Sequence, residues 1–450
     1  MNIQVGKCSL KGSIVVPGSK SHTIRALLLA SLGKGTSVIR NPLPSADCLS
    51  TAAAVPLIGA KVNLNLSHEG EAGNQWIVEG AGDNIHLPED VVNVGNSGSL
   101  LYFLAPIAAV FSGWSVFTGD ESIRKRPVNH LADAINQLGG FSQTSIPDHN
   151  GCPLVIKGPV TPGTVVTAGE VSSQYISGLM MSAVLMNGKL EIHLSNPKET
   201  PYLTMTQKWL EKVGAKCFVS SDFKKIEVSG PVQISAFDET IPSDWEGVAF
   251  PLIAGILTNS TVTIENIDGS GTQGDEAIVE ILSSIGANLD WNKENRTLTV
   301  IGGEGKNRLS TQNLEGGELH VKMSSFPDAI CALAVAACFT KGKVILEDAE
   351  VCRRKETDRL KVLKTELSKL GAHIEEKEDA LIINGGKILH GGTVESYGDH
   401  RMAMALYCLG LALPEGEVLT VKDAECCSVS FPKFFELMEN CLNAKHKVLC

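Results

Sequence analysis

Residues 17–30, PGSKSHTIRALLLA, are the stretch from which the rest of the chain can be read. A Pro-Gly turn leads into Ser19-Lys20-Ser21 and then into a small, apolar run. Serine ahead of an apolar run marks a helix N-terminus. Such an end presents unpaired N–H groups and the positive pole of the helix dipole, which suits an anion. Lys20 adds a full charge, the serines add donors, and Arg25 lies a short way into the first turns. One such stretch is compatible with an ordinary capped helix; its repetition points further.

The order of this unit is helix, Gly turn, strand, polar loop, second helix ending in Gly-Ala, strand. It returns five times. GNSGS (95–99) opens LLYFLAPIAAVF, SSQ (172–174) opens YISGLMMSAVLM, and Ser243-Asp244 opens WEGVAFPLIAGIL. SSFPD (324–328) opens AICALAVAACF, and GDHR (398–401) opens MAMALYCLGLAL. The spacing, roughly 75 residues, exceeds that of the usual solenoid units. The first helix of each unit is almost wholly apolar and is expected to be buried all round. The second, as in LADAINQL and RLKVLKTELSKL, is amphipathic and keeps one side in solvent. The strands between, such as STVTIEN, alternate or are β-branched. Three modules packed around their buried helices would make one domain, and six would make two.

Composition narrows the function. The 450 residues are 43% hydrophobic and 20% charged, so a sizeable core forms. A formal net charge of −11 argues against non-specific nucleic-acid binding, which needs a basic face. No apolar run reaches the roughly 18 residues of a membrane span. The opening MNIQVGKCSLKGSIVV reads as strand at once, so no targeting segment is expected. The twelve cysteines form no C-x-x-C pair and read as buried thiols of a reducing compartment, which points to the cytoplasm. No metal spacing is evident.

The polar residues collect where buried helices begin and in the loops after the inner strands. If each domain gathers its buried helices in parallel, their starts converge on one face and concentrate positive dipole ends, Lys and Arg. The contributors are Lys20, Ser21 and Arg25, with Asp47 opening the next helix; Asn96, Ser99, Arg124 and Arg126; Ser172, Ser173, Gln174 and Tyr202; Asp244; Asp328 with Arg353, Arg354, Lys355, Glu356 and Arg359; and Asp399, His400 and Arg401. The loop 353–359 reads either as a solvated helix start or as an anion site with an acid in it. In GDHR, Arg401 immediately precedes an apolar helix, an expensive place unless it has a partner. His400 could titrate near neutrality or be a hydrogen-bonded structural histidine.

These segments, with RKRP (124–127) and RKETDRL (354–360), occur in an order and spacing that resemble the 5-enolpyruvylshikimate-3-phosphate synthase (3-phosphoshikimate 1-carboxyvinyltransferase) family over essentially the whole chain. The resemblance implies an α/β, two-domain inside-out barrel of six βαβαββ repeats. Domain 1 would be residues 1–18 plus 242–450, domain 2 residues 19–241, and the active site would lie in the cleft, closing on ligands at the hinge near 18 and 241. It implies transfer of the enolpyruvyl group of phosphoenolpyruvate to the 5-hydroxyl of shikimate 3-phosphate, in the shikimate pathway. It implies a monomer with no metal or organic cofactor. Lys20, Ser99, Arg126, Gln174, Arg359 and Arg401 match phosphoenolpyruvate ligands. Lys20, Ser21, Arg25, Ser172, Ser173, Gln174, Tyr202, Asp328 and Lys355 match shikimate 3-phosphate ligands. Asp328 matches the base for the 5-hydroxyl, and Glu356, with Lys20, the proton donor to the methylene carbon.

The chain departs from the family pattern at several positions. Ser99 and Tyr102 stand where Thr and Arg are common, Val351 where Asn is, Glu199 where Ser is, Glu246-Gly247 where a small Ser pair is, and Val429 where many members have Lys. Tyr102, Glu199 and Val351 bear on acceptor and phosphate binding, so a paralogue using another phosphorylated cyclitol or sugar stays open. A repeat scaffold without catalysis is the other alternative; it would place its charge on outer helices. Ser97 and Val429 hint at reduced glyphosate sensitivity.

Overall fold

The computed structural model describes residues 1–65 and 74–449, and the chain divides into two compact units. The first comprises Met1–Pro17 and Ser243–Cys450, the second Gly18–Pro242. In the second unit the helices are α1 (Lys20–Leu32), α2 (Ala46–Ala54), α3 (Gly98–Ala108), α4 (Asn129–Gln137), α5 (Ser173–Ser182) and α6 (Thr200–Lys212). In the first they are α7 (Trp245–Leu257), α8 (Ile278–Ser284), α9 (Ile330–Phe339), α10 (Arg359–Ser368), α11 (His400–Leu411) and α12 (Phe434–Leu442). Odd-numbered helices are the apolar ones. They are buried nearly throughout, and every residue of α11 is buried. Even-numbered helices bury one stripe, as Leu360, Leu363 and Leu367 of α10 do.

Among the described residues the strands form six four-stranded sheets, and each contains one parallel and two antiparallel pairings. Thr164–Thr167, for example, runs parallel to Gly188–Leu194, which pairs antiparallel with Lys225–Gly230. Three sheets join distant parts of the chain: Lys11–Val15 runs parallel to Thr261–Glu265, Asp238–Thr240 runs parallel to Lys34–Arg40, and Asn2–Gly6 pairs antiparallel with Val418–Lys422 and His446–Leu449. A repeated close approach holds each hairpin on its buried helix. A Cβ at Gly158, Gly230 or Gly385 would lie 2.3, 2.1 or 1.9 Å from a carbonyl oxygen at the end of α3, α5 or α9. Only glycine fits there.

Each unit has its own core. In the second, α1, α3 and α5 pack with Trp76, Phe103 and Tyr175; in the first, α7, α9 and α11 pack with Phe250, Tyr407 and Phe434. Gly178 brings α5 against α3, because a Cβ there would meet the Tyr102 carbonyl oxygen at 2.0 Å. Two helix boundaries differ from expectation. The helix after Ser45 ends at Ala54 and continues as a 3-10 turn, Val55–Ile58, because Pro56 cannot donate. The stretch before Ile330 is two 3-10 turns, Met323–Ser325 and Pro327–Ala329, so Asp328 lies in a tight turn rather than an α-helix. Among the described residues no helix is long and apolar enough to cross a membrane.

Candidate active site

The expected convergence of helix starts occurs within each unit. In the second unit Gln174 Nε2, at the start of α5, donates to Ser99 Oγ at the start of α3, at 2.9 Å. Ser172 caps α5, its Oγ accepting from Gln174 N at 3.1 Å. Arg25 ties α1 to both α5 and α6. Its Nε donates to Thr206 Oγ1 at 2.8 Å and its Nη2 to Ser177 Oγ at 3.2 Å. It also donates to the carbonyl oxygens of Ser21 and Tyr202, at 3.0 and 3.3 Å, and its guanidinium lies 4.7 Å from the centre of the Phe103 ring. These acceptors are neutral, and burial pulls the Arg25 pKa down to about 9.

Lys20 is held elsewhere, with its Nζ 3.4 Å from Asp47 Oδ2. Arg126 Nη2 donates weakly to Asn96 Oδ1 at 3.4 Å, and its Nη1 lies 2.8 Å from where a Cβ on Gly98 would be. Gly98 thus lets the guanidinium reach the start of α3. Tyr102 turns its hydroxyl to the Pro127 carbonyl oxygen, at 2.7 Å. Glu199 reaches the start of α5, and its Oε2 accepts from Ser173 N at 3.2 Å and from Ser173 Oγ at 3.1 Å.

The first unit holds a denser constellation around Asp328. Its Oδ1 accepts from Arg359 Nη1 at 2.6 Å and from Arg401 Nε at 2.9 Å, and its Oδ2 from Lys355 Nζ at 3.2 Å. Arg359 is fully buried and also donates to Asp399 Oδ2 and to Glu356 Oε2, both at 2.8 Å. Arg401 pairs in addition with the Glu246 carboxylate at the start of α7. The partner that a buried Arg401 requires is therefore a pair of carboxylates. In the loop 353–359 both readings hold in part. Arg353 is structural, clamping Asp358 at 2.8 Å and Glu376 at 2.9 Å, and Arg354 pairs with Glu350. Lys355, Glu356 and Arg359 join the cluster.

The electrostatics follow from this crowding. Burial raises the Asp328 carboxyl, but Lys355, Arg401 and Arg359 outweigh burial and hold it well below the usual carboxylate range. Arg359 and Arg401 go up: burial lowers them, and their carboxylates more than compensate. His400 matches neither sequence expectation. It is buried, neither ring nitrogen has a hydrogen-bond partner, and burial followed by the Arg401 charge pushes its pKa to about 4.

Asp399, singled out from the sequence, is the N-cap of α11 and holds Arg359. Two participants escaped the sequence reading. Glu246 is a first-turn acid two residues past the cap Asp244. Asp275 is buried with Oδ1 unpartnered, and burial, then Glu246 and Asp328, raise it well above the carboxylate range. It follows the inner strand Thr261–Glu265, in the kind of loop that yielded Arg126 and Glu356 elsewhere. Among the described residues no group of three His, Cys, Asp or Glu side chains is placed to hold a metal ion.

Six like sheets among the described residues, buried helices, and arginine, lysine and carboxylate gathered at the helix starts define a mixed α/β protein with its buried charges at helix N-termini. Residues 5–438 match the model of the EPSP synthase (3-phosphoshikimate 1-carboxyvinyltransferase) family, and the chain belongs to that family. It is 38% identical over 441 residues to a 3-phosphoshikimate 1-carboxyvinyltransferase of Ruminiclostridium cellulolyticum, covering 98% of both chains. It is 37% identical to one from Methanococcus maripaludis, covering 96% of both. An EPSP synthase structure from Acinetobacter baumannii shares the fold, with a TM-score of 0.79 at 23% identity, covering 99% of this chain and 100% of the other.

Proposed function

We propose that this chain is an enzyme that transfers the enolpyruvyl group of phosphoenolpyruvate to the 5-hydroxyl of shikimate 3-phosphate and releases phosphate. The observation that carries this reading is the Asp328 constellation. A carboxylate held ionised by Lys355, Arg359 and Arg401, with Glu356 on the same arginine, supplies a base, an acid and an anion clamp. In this reading Lys20, Ser99, Arg126, Gln174, Arg359 and Arg401 bind phosphoenolpyruvate. Lys20, Ser21, Arg25, Ser172, Ser173, Gln174, Tyr202, Asp328 and Lys355 bind shikimate 3-phosphate.

Asp328 as it stands is a weak base, because three cations share its two oxygens. Anionic phosphoenolpyruvate competes for Arg359 and Arg401, and that competition raises the basicity of Asp328. Asp328 then takes the 5-hydroxyl proton as the oxygen attacks the substituted carbon of phosphoenolpyruvate. Glu356, with Lys20, gives a proton to the methylene carbon, forming a tetrahedral ketal. Loss of phosphate and of one methyl proton restores the double bond. A positioned base, a positioned acid and clamped anions are what both steps need.

The finer architecture belongs to the same proposal. It comprises two inside-out α/β domains of three βαβαββ repeats, residues 1–18 plus 242–450 and 19–241, with catalysis in the cleft after ligand-driven closure. So do a monomeric state and a cytoplasmic place in the shikimate pathway. The test is phosphate release from phosphoenolpyruvate with and without shikimate 3-phosphate, beside Glu356→Gln and Asp328→Asn. Release that needs both substrates and collapses in both variants is expected. No release, from folded protein that still binds phosphoenolpyruvate, would point to another acceptor. Small-angle scattering with and without both ligands checks closure, and identical profiles would remove it.

A further inference from the structure

Glu199 lies inside the second unit, and its side chain seats on the donors that the proposed reaction needs for a phosphate. It immediately precedes α6, with a left-handed backbone (φ 50°) that a residue carrying a Cβ adopts reluctantly. The residue is only 6% exposed, and one carboxylate oxygen takes both the Ser173 N–H and the Ser173 hydroxyl. The start of α5 thus already holds an anion supplied by the chain itself, favoured there by the helix dipole. The turn behind it is fixed. Tyr202 N donates to the Glu199 carbonyl oxygen at 3.1 Å, and the Tyr202 carbonyl oxygen is gripped by Arg25 at 3.3 Å and by Thr206 at 2.8 Å. Freeing Ser173 therefore calls for rotation of the Glu199 side chain, with the turn left in place.

We propose that Glu199 is a specificity-determining residue: an internal carboxylate that occupies the Ser173 donors and that the phosphate of the acceptor must displace. This rests on the reading that Ser172, Ser173 and Gln174 bind shikimate 3-phosphate, and takes the start of α5 as the seat of its phosphate. A phosphate needs the same N–H and O–H groups, and two anions cannot share them without strong repulsion in a buried setting. Each anionic acceptor thus binds more weakly than the donors alone would allow, whereas an acceptor without a phosphate is unaffected. The carboxylate filters acceptors by how strongly their anion competes.

The test is calorimetric titration of wild type, Glu199→Gln and Glu199→Ser with shikimate 3-phosphate, shikimate and inorganic phosphate, alongside thermal unfolding with and without phosphate and turnover of wild type. Shikimate 3-phosphate and inorganic phosphate should bind about tenfold tighter or more to both variants, a difference set by charge-assisted hydrogen bonds. Shikimate binding should not change. Phosphate should raise the Tm of Glu199→Ser more than that of wild type, which a purely structural cap would not do. Equal or weaker binding of both phosphates to folded variants overturns the proposal, even where wild type turns over shikimate 3-phosphate. Tighter inorganic phosphate in the variants, with no binding or turnover of shikimate 3-phosphate by any protein, upholds the role of Glu199 and overturns the acceptor instead.

Discussion

The two units treat buried arginine in opposite ways. In the first, Arg359 and Arg401 are saturated by Asp328, Asp399, Glu356 and Glu246, and their pKa values rise. In the second, Arg25 is equally buried but is satisfied by hydroxyls, carbonyls and an aromatic face, and its pKa falls to about 9. A charge taken out of water is costly unless a counter-charge goes with it. The first unit supplies that counter-charge from its own chain and is electrostatically complete before any ligand arrives. In the proposed reaction an anion would exchange with a carboxylate there. At Arg25 the second unit keeps a buried positive charge with no carboxylate on it, which the anionic acceptor of that reaction would compensate. On that reading the first arrangement tunes acid–base groups, and the second stores affinity.

The largest effect that would sharpen this contrast is on turnover. Asp328→Asn should lower kcat by about two to four orders of magnitude, the usual worth of a positioned base. Phosphoenolpyruvate binding should survive, read by phosphate release and by direct titration. If kcat holds, the carboxylate is only a counter-ion and the contrast between the units loses its chemical meaning.

Next comes stability. Arg359→Met takes from the buried Asp399 the arginine that neutralises it, while Asp328 keeps Lys355 and Arg401, and should cost about 3–5 kcal/mol in urea unfolding. Arg25→Met removes a buried charge that has no carboxylate on it, so it should change stability by no more than about 1 kcal/mol, or stabilise. The same variant should weaken shikimate 3-phosphate binding by roughly tenfold to a hundredfold. Similar unfolding costs for the two variants would erase the distinction drawn above.

The smallest effects are in the pH dependence of Tm, and both lie in the first unit. The folded state lowers His400 to about 4 from an ordinary value near 6.5. Its stabilising contribution is therefore present above about pH 6.5 and lost as pH falls toward 4. His400→Leu should flatten that acid limb. Asp275 is raised, so its contribution is intact below about pH 3.9 and lost as pH rises through its folded value. Asp275→Asn should gain Tm relative to wild type as pH climbs from 4 to 8. A gap that stays constant with pH would show that Asp275 ionises freely.

Much of this was legible one helix at a time. The apolar runs after Ser19, Ser97, Ser172, Asp244 and Asp399 announce buried helices, and those caps mark where donors point. Lys355, Glu356 and Arg359 share one short loop, so their joint role was visible from spacing. Glu246, Asp275 and the seat of Glu199 were not, because each acts across a long stretch of chain. Arg401 meets Glu246 from 155 residues away, and Arg25 meets Thr206 from 181.

The sequence by itself determined the repeated module, the burial of its apolar helices, the family, and the kinds of group set at each helix start. Those are properties of local period and composition, and a residue's neighbours within a turn or a strand are enough to impose them. Tertiary structure alone decided which carboxylate neutralises which arginine, which arginine goes without one, and that Glu199 sits on Ser173. Pairing of buried charges depends on distances of a few ångströms between helices whose meeting is set by glycine contacts such as Gly178 on Tyr102, and no periodicity in the chain encodes those distances.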